Sequence, residues 1–287
     1  IKINSTARHM DYIVDDIKKF ALLIMVDGNI QKYLKMSDNN FFEINYMKSR
    51  IKDMLSSLEV QRDYIINMVL IKGESMIFSK AQLIVYLDEH YYAEKIKEAW
   101  YTDFVKSGVT SGFSSPYDLP TYDLRSKEGA SSTVKSLPYI VYIKDISNPN
   151  KVLGQLIINL KFSYFEDYFI ADSKENSDFV WADSHNNVLF SKNPSGAIKD
   201  FQEIIKTIED SVPEDTGYLA LENGYLIFDR TMKEGWSICS FINNDHIYKA
   251  TQYLIYFFLL YTVAILVFTV TIILPIITGI TRPISAM

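Results

Sequence analysis

The aromatic pair Trp100-Tyr101, in the segment KEAWYTDF, is the part of the sequence best suited to contact a small molecule. Flat rings offer a large apolar contact with little loss of conformational entropy, and their faces attract a sugar ring or a cation. The same pair could instead pack at a helix end into the protein core. The sequence leaves both interpretations open.

Other tyrosines are predicted to lie on a helix, a loop and a strand that face one another across one pocket. With 20 tyrosines in the chain, any such cluster can also arise by chance, with half-buried rings and hydroxyls that reach water. The prediction for a ligand site comprises Trp100, Tyr101, Tyr86, Tyr122, Asp123, Tyr139 and Tyr142, and Tyr117 is a further candidate.

The sequence predicts no catalytic residue, no metal site and no cofactor. It has no paired metal-ligand spacing, Gly-rich phosphate loop or nucleophile elbow, and its four histidines are scattered. His185 lies in the segment DSHNN, which a hairpin turn rich in Asp and Asn explains better than a metal site. An extracellular hydrolase anchored by a C-terminal helix is therefore the less favoured alternative.

The composition limits the class of protein. The chain has 287 residues, a net charge of −6 and 48% hydrophobic residues, which suffices for one or two globular domains. An acidic balance without a basic block argues against a nucleic-acid partner. Cys239 is the single cysteine, so no intrachain disulfide can form, and we expect it to be buried in a strand.

The C-terminal part is predicted to span a membrane at residues 250–280. No charged residue occurs from Ala250 to Thr281, and about twenty apolar residues suffice to cross roughly 30 Å of hydrocarbon. Tyrosines crowd the N-terminal end of this segment, where amphipathic rings prefer the headgroup region. Arg282 follows it and suits a cytoplasmic anchor, which would place residues 1–249 outside the cell.

Residues 1–60 are predicted to form a helical stalk. Apolar residues recur at intervals of seven, with further members three positions later, and form one seam: Ile3, Met10, Ile17 and Ile24, with Thr6, Ile13 and Phe20. This seam could face a second copy of the chain or pack on its own domain. A second helical pattern lies between Ile44 and Leu58.

The chain from residue 61 to residue 249 is predicted to form two α+β modules in tandem. In the first, residues 61–165, a hairpin about Lys72-Gly73-Glu74 precedes a helical stretch 81–100, a loop 106–133 and two strands. In the second, residues 166–249, a hairpin 178–192 precedes a helix and three strands. Each module is expected to be an antiparallel sheet with helices packed on it.

This order of elements resembles the extracellular part of double Cache sensor receptors, whose modules are PAS-like. The resemblance depends on KVLGQLIINL, similar to the last strand of a membrane-distal module, on FVWADSHNNVLFS, similar to the opening hairpin of a membrane-proximal one, and on TRPI. It implies that 281–287 begin a HAMP helix, where Pro283 suits a first helical turn. YesM-like sensor histidine kinases are the most similar group, which implies a homodimer, a kinase region and a response regulator.

The resemblance also implies that a small solute binds the distal module and that the signal passes through the span to HAMP. An amino-acid-binding subset carries Arg two residues before the Trp-Tyr pair, where this chain has Glu98. Capture of an amino-acid carboxylate by that residue is therefore not expected, and a sugar is the first expectation. The alternatives are the ectodomain of a chemotaxis receptor or cyclic-dinucleotide enzyme, or a partner-binding module without a small ligand.

Overall fold

The computed structural model describes residues 2–37, 40–79, 89–122, 131–172, 178–192, 201–273 and 276. The helices of these parts are α1 Lys2–Met25, α2 Gly28–Lys35, α3 Phe41–Val60, α4 Glu89–Lys95, α5 Ala99–Lys106, α6 Phe162–Asp172, α7 Phe201–Ser211 and α8 Asn244–Phe268. The strands are β1 Ile65–Lys72, β2 Ser75–Phe78, β3 Ser111–Phe113, β4 Tyr117–Tyr122, β5 Ser131–Asp145, β6 Asn148–Lys161, β7 Asp178–Ala182, β8 Val188–Lys192, β9 Thr216–Leu221, β10 Gly224–Asp229 and β11 Ser237–Asn243.

The strands form two antiparallel sheets with the same internal order. The first has the order β2-β1-β6-β5-β3, with β4 also paired to β5, and the second has the order β8-β7-β11-β10-β9. In each sheet the last strand along the chain lies in the middle, beside the first strand of the opening hairpin. This confirms the predicted α+β class with a long N-terminal helix, two antiparallel-sheet modules and an apolar C-terminal helix.

The apolar seam of α1 packs inside its own chain. Each seam residue from Ile3 to Ile24 is at most 7% exposed, and Met10 and Ile17 are fully buried in one core with residues of both sheets. Of the two open interpretations, the structure therefore shows packing on the same chain. Burial at this period explains why a 24-residue helix forms here, because its stability comes from the packed face.

Two segments differ from their predicted structure. One helix was predicted over 81–100, of which residues 81–88 lie outside the described part. In the remainder the structure has two helices, because α4 ends at Lys95 and α5 begins at Ala99. The backbone of Glu98, between them, is extended, with ψ 162°. The loop predicted over 106–133 contains β3 and β4, which both pair with β5. Unpaired backbone groups beside a sheet edge gain hydrogen bonds by joining it.

Gly154 of β6 lies where a side chain has no room. A Cβ there would be 2.5 Å from the Ile71 carbonyl oxygen and 2.9 Å from Leu34 Cδ2. We expect Gly154→Ala to lower the free energy of unfolding by about 2 kcal/mol, because the backbone oxygen cannot move away cheaply. Chemical denaturation of the detergent-solubilised chain measures this loss.

Gly28, at the start of α2, supplies the matched control. A Cβ there meets nothing within 4 Å, so Gly28→Ala should leave stability unchanged or raise it by up to about 1 kcal/mol. Equal losses in the two variants would show that the close approach at Gly154 is not the cause.

Asp16 joins α1 to the segment that follows α3. Its carboxylate accepts hydrogen bonds from Arg62 Nε at 3.0 Å and from the Tyr64 hydroxyl. Partial burial raises the pKa of Asp16, but the bonds from Arg62 and Tyr64 outweigh it, so the pKa lies below its ordinary value. This contribution to stability is present above the ordinary Asp pKa of about 3.9 and is lost as the pH falls through the lower folded pKa.

We therefore expect Asp16→Asn to flatten the decline of the melting temperature between about pH 5 and pH 3. Thermal melts across this range test it, with Asp53→Asn, at an exposed position of α3, as the control that keeps the wild-type decline. If both variants decline as steeply as wild type, the linkage assigned to Asp16 is wrong.

The C-terminal helix α8 follows β11 without an intervening loop. Within the described residues, Thr251–Ile272 is the one helical stretch long and apolar enough to cross a membrane, and none of it is buried in the protein. A π-helical turn, Thr269–Ile273, follows α8 directly. Cys239 of β11 is 1% exposed, as predicted, and burial raises the pKa of its thiol to about 12.

Candidate functional site

The first sheet has a buried face that is covered by α4, α5 and β4 rather than by the N-terminal helices. Apolar side chains of β1, β5 and β6 meet these elements and form a separate core: Ile66, Val69, Ile71, Met76, Tyr92, Trp100, Phe104, Tyr117, Leu119, Ile140 and Ile157. We call it the distal core. It is the part of the structure that contains Trp100 and Tyr101, and it is the candidate site.

Trp100 is the centre of an aromatic group in the distal core. Its ring stacks on Tyr117 with centroids 4.0 Å apart and an interplanar angle of 5°, and it forms T-shaped pairs with Tyr92 and Tyr101. The residue is only 4% exposed. Its indole Nε1 is buried, and within the described part of the chain no acceptor bonds to it.

A buried network of neutral polar groups lies beside these rings. Asn159 of β6 accepts a hydrogen bond from the Tyr117 hydroxyl at 2.7 Å and another from Ser136 Oγ at 3.3 Å. Its amide Nδ2 donates to Asn67 Oδ1 at 2.6 Å. Because the Tyr117 proton goes to Asn159, the Tyr92 hydroxyl, 3.2 Å away, donates to Tyr117.

Burial controls the protonation of this network. It raises the pKa of Tyr117 well above its ordinary value and that of Tyr92 to about 12. Both hydroxyls are therefore donors at neutral pH. Apart from the Trp100 indole N–H, the buried polar groups described on this face are amides and hydroxyls, which suits hydrogen bonding to an uncharged ligand.

Tyr101 and Tyr142 lie at the half-buried margin of the distal core. The Tyr101 hydroxyl donates to Gln155 Oε1, and burial raises the pKa of this tyrosine. Tyr142 stacks near Phe104 of α5, with ring centroids 6.4 Å apart. The structure thus brings Trp100, Tyr101 and Tyr142 together on one face.

Tyr139, predicted to share this pocket, lies on the opposite face of the first sheet. It is buried in the larger core, where its ring is 5.0 Å from that of Phe113. Successive residues of a strand point to opposite faces, so positions three apart, such as 139 and 142, cannot face the same way in a regular strand. The sequence prediction overlooked this alternation.

The other three predicted site residues cannot be placed at the site. Tyr86 and Asp123 lie outside the described residues. Tyr122 ends β4, where its backbone pairs with Ser131. Their assignment to a ligand site remains a prediction.

Sequence reasoning missed Tyr92, Asn67, Ser136, Asn159 and Gln155. A signal for the two asparagines exists, because each interrupts a run of apolar residues, in IINMVL and in LIINL. A polar side chain at a buried strand position needs a partner, and here the two amides are partners of each other.

The hairpin turn at His185 has a simple structural explanation. The Asp183 carboxylate accepts bonds from the backbone N–H groups of His185 and Asn187, both at 2.8 Å, and so closes the turn between β7 and β8. No cluster of three His, Cys, Asp or Glu side chains that could hold a metal occurs in the described ranges.

Comparisons with solved structures support the fold. The extracellular domain of a protein described as a histidine kinase, vpHK1S-Z8, matches with a TM-score of 0.55 and 12% identity over 86% of this chain and 94% of its own. A domain of a protein described as a sensory box/GGDEF family member from Vibrio parahaemolyticus matches with a TM-score of 0.54 and 13% identity over 85% and 94%.

A third match is the sensory domain of the Campylobacter jejuni chemoreceptor Tlp3 (CcmL) with isoleucine bound, with a TM-score of 0.50 and 13% identity over 85% of this chain and 91% of the other. No family model and no curated protein matches the sequence. The chain therefore has a double Cache-like fold, which it shares with these three domains.

Proposed function

We propose that this chain is the extracellular ligand-sensing region of a bacterial transmembrane signalling receptor. Sensor domains of a histidine kinase, a GGDEF protein and a chemoreceptor share its fold. The candidate span follows the second sheet directly, so with residues 1–249 outside the cell, α8 would carry the signal across the membrane.

The observation that carries the proposal is the Trp100 group in the distal core. A buried indole N–H without an acceptor in the described chain costs free energy unless another group satisfies it, and a bound ligand can supply an acceptor. Tyr101 and Tyr142 add half-buried ring faces at the margin. A small solute that binds here would contact aromatic rings and a neutral hydrogen-bonding network.

An uncharged sugar is the ligand class that we favour. The described polar groups of the distal core are amides and hydroxyls, and aromatic faces suit the apolar faces of sugar rings. Glu98, at the N-cap of α5, is paired with Lys95 at 2.8 Å and offers no positive charge to a carboxylate.

For the output, we favour a YesM-like sensor histidine kinase that works as a homodimer and signals to a response regulator. The C-terminal residues 281–287, where HAMP would begin, lie outside the described residues. A chemoreceptor or a GGDEF-type cyclic-dinucleotide enzyme is the alternative, because sensor domains of both have this fold.

A partner-binding module without a small ligand is the second candidate function. One observation favours it: the rings of Tyr92, Trp100 and Tyr117 already fill much of the distal core, and Tyr92 is fully buried. In that case the distal core would serve only packing.

A thermal-shift screen of the detergent-solubilised chain distinguishes a ligand-binding sensor from a partner-binding module. The screen covers sugars, amino acids, organic acids and amines. A ligand that binds only the folded state raises the melting temperature by mass action. We expect a sugar hit that Trp100→Phe and Tyr101→Phe weaken and that Tyr218→Phe, an exposed position of the second sheet, leaves unchanged. A hit insensitive to both site variants would exclude the distal core, and the absence of any hit would favour the partner-binding module.

A further inference from the structure

The turn between β10 and β11, residues 230–236, contacts three separate parts of the chain, and we call it the clamp turn. Its shape is fixed internally: Asp229 accepts bonds from Thr231 N at 2.9 Å and Thr231 Oγ1 at 2.7 Å, and Gly235 adopts φ +69°. Met232 and Trp236 are each 3% exposed and point into the core. A turn held in this way can transmit a displacement rather than absorb it.

On one side the clamp turn contacts the first sheet. The Trp236 ring lies 4.8 Å from that of Phe113 in β3. The same strand lies close to the candidate site. Ser114, the residue after β3, donates its hydroxyl to the Trp100 carbonyl, and a Cβ added at Gly112 would stand 3.6 Å from Phe104 Cε2 of α5. A shift of α5 therefore reaches Trp236 through one short strand.

On a second side the clamp turn binds α1. The backbone N–H of Lys233 donates to Asp11 Oδ1 at 3.0 Å, and its ammonium group pairs with Asp15. Glu234 pairs with Lys18. Positions 11, 15 and 18 lie on one face of the helix, so the turn is attached to two successive turns of α1.

On the third side the clamp turn leads into the membrane span. Trp236 immediately precedes β11, which pairs with β10 and β7 and continues directly into α8. A strand of seven residues is about 23 Å long and, when bonded on both edges, moves as one piece. The same strand therefore begins beside the first sheet and ends at the span.

We propose that the contact between Phe113 and Trp236 mechanically couples the candidate site to the strand that enters the membrane, with α1 held to the same turn. Its signalling role depends on the proposed function, but the coupling itself does not. A perturbation of α5 should change the stability of β11 through this contact, with no ligand present.

Hydrogen exchange of the full chain in lipid nanodiscs tests the coupling. Phe104→Ala creates a cavity beside β3 and should speed exchange of the β11 amides by on the order of tenfold or more. In a Trp236→Leu or a Phe113→Leu background, the further effect of Phe104→Ala on these amides should fall below about twofold. Two backgrounds are used so that one remains if the other does not fold.

Phe228→Leu is the matched control background. Phe228 is 1% exposed and lies on the other face of the second sheet, away from Phe113. In the Phe228→Leu background, Phe104→Ala should still speed hydrogen exchange of the β11 amides as it does in wild type. The same acceleration in all three backgrounds would overturn the proposal, as would its absence in wild type. Neither result would bear on ligand binding, which the thermal-shift screen measures separately.

Discussion

Trp181→Ala is expected to lower the free energy of unfolding by about 4 kcal/mol and the melting temperature by roughly 10 °C. Trp181 of β7 is fully buried, and its ring contacts Phe162 and Phe165 of α6 with centroids 5.6 and 5.7 Å apart. It also meets Trp236 at 5.0 Å. Removal of the ring therefore leaves a cavity between the second sheet and the helix that joins the two sheets.

Urea denaturation followed by far-ultraviolet circular dichroism measures this loss on the detergent-solubilised chain. Tyr218→Ala is the control, since this aromatic residue of the same sheet is 68% exposed and its loss should change stability by less than about 0.5 kcal/mol. A loss at Trp181 as small as that of the control would mean that the surrounding rings collapse into the space.

Asn159→Ala is expected to lower the free energy of unfolding by about 3 kcal/mol, although the change removes little side-chain volume. The change leaves Ser136 Oγ and Asn67 Oδ1 without the bonds that Asn159 provides, and it removes the acceptor of the Tyr117 hydroxyl. Each buried polar group without a partner costs about 1–3 kcal/mol, and Tyr117 keeps only its bond with Tyr92.

The matched control for this prediction is Asn148→Ala at the exposed start of the same strand. It should be nearly neutral in the same denaturation experiment. If Asn159→Ala costs less than about 1 kcal/mol, then water or rearranged side chains replace the lost bonds and the network contributes little to stability.

The features of the fold that depend on local pattern could be predicted from the sequence. The hairpin at Gly73, the period of α1 and the apolar C-terminal helix follow from turn chemistry and from spacing along one element. The candidate site was only partly foreseen. Trp100, Tyr101 and Tyr142 share a face as expected, whereas the alternation of β5 puts Tyr139 on the other side.

The remaining features depend on contacts between distant residues, which no local pattern encodes. Asn67 and Asn159 are 92 positions apart and meet only because β1 pairs with β6. Lys233 and Asp15 are 218 positions apart. Such contacts are determined by strand order and by the packing of the N-terminal helix on the second sheet.

The central place of β11 has a consequence for how the second sheet bears load. A force along α8 pulls on a strand that is bonded on both edges, to β10 and to β7. The inter-strand bonds lie perpendicular to the strands, so a pull along β11 loads two ladders of bonds at once, whereas a pull along the edge strand β9 loads only its ladder with β10. The sheet is therefore attached to the C-terminal helix by a strand that two ladders of bonds hold, rather than by an edge strand that one ladder holds.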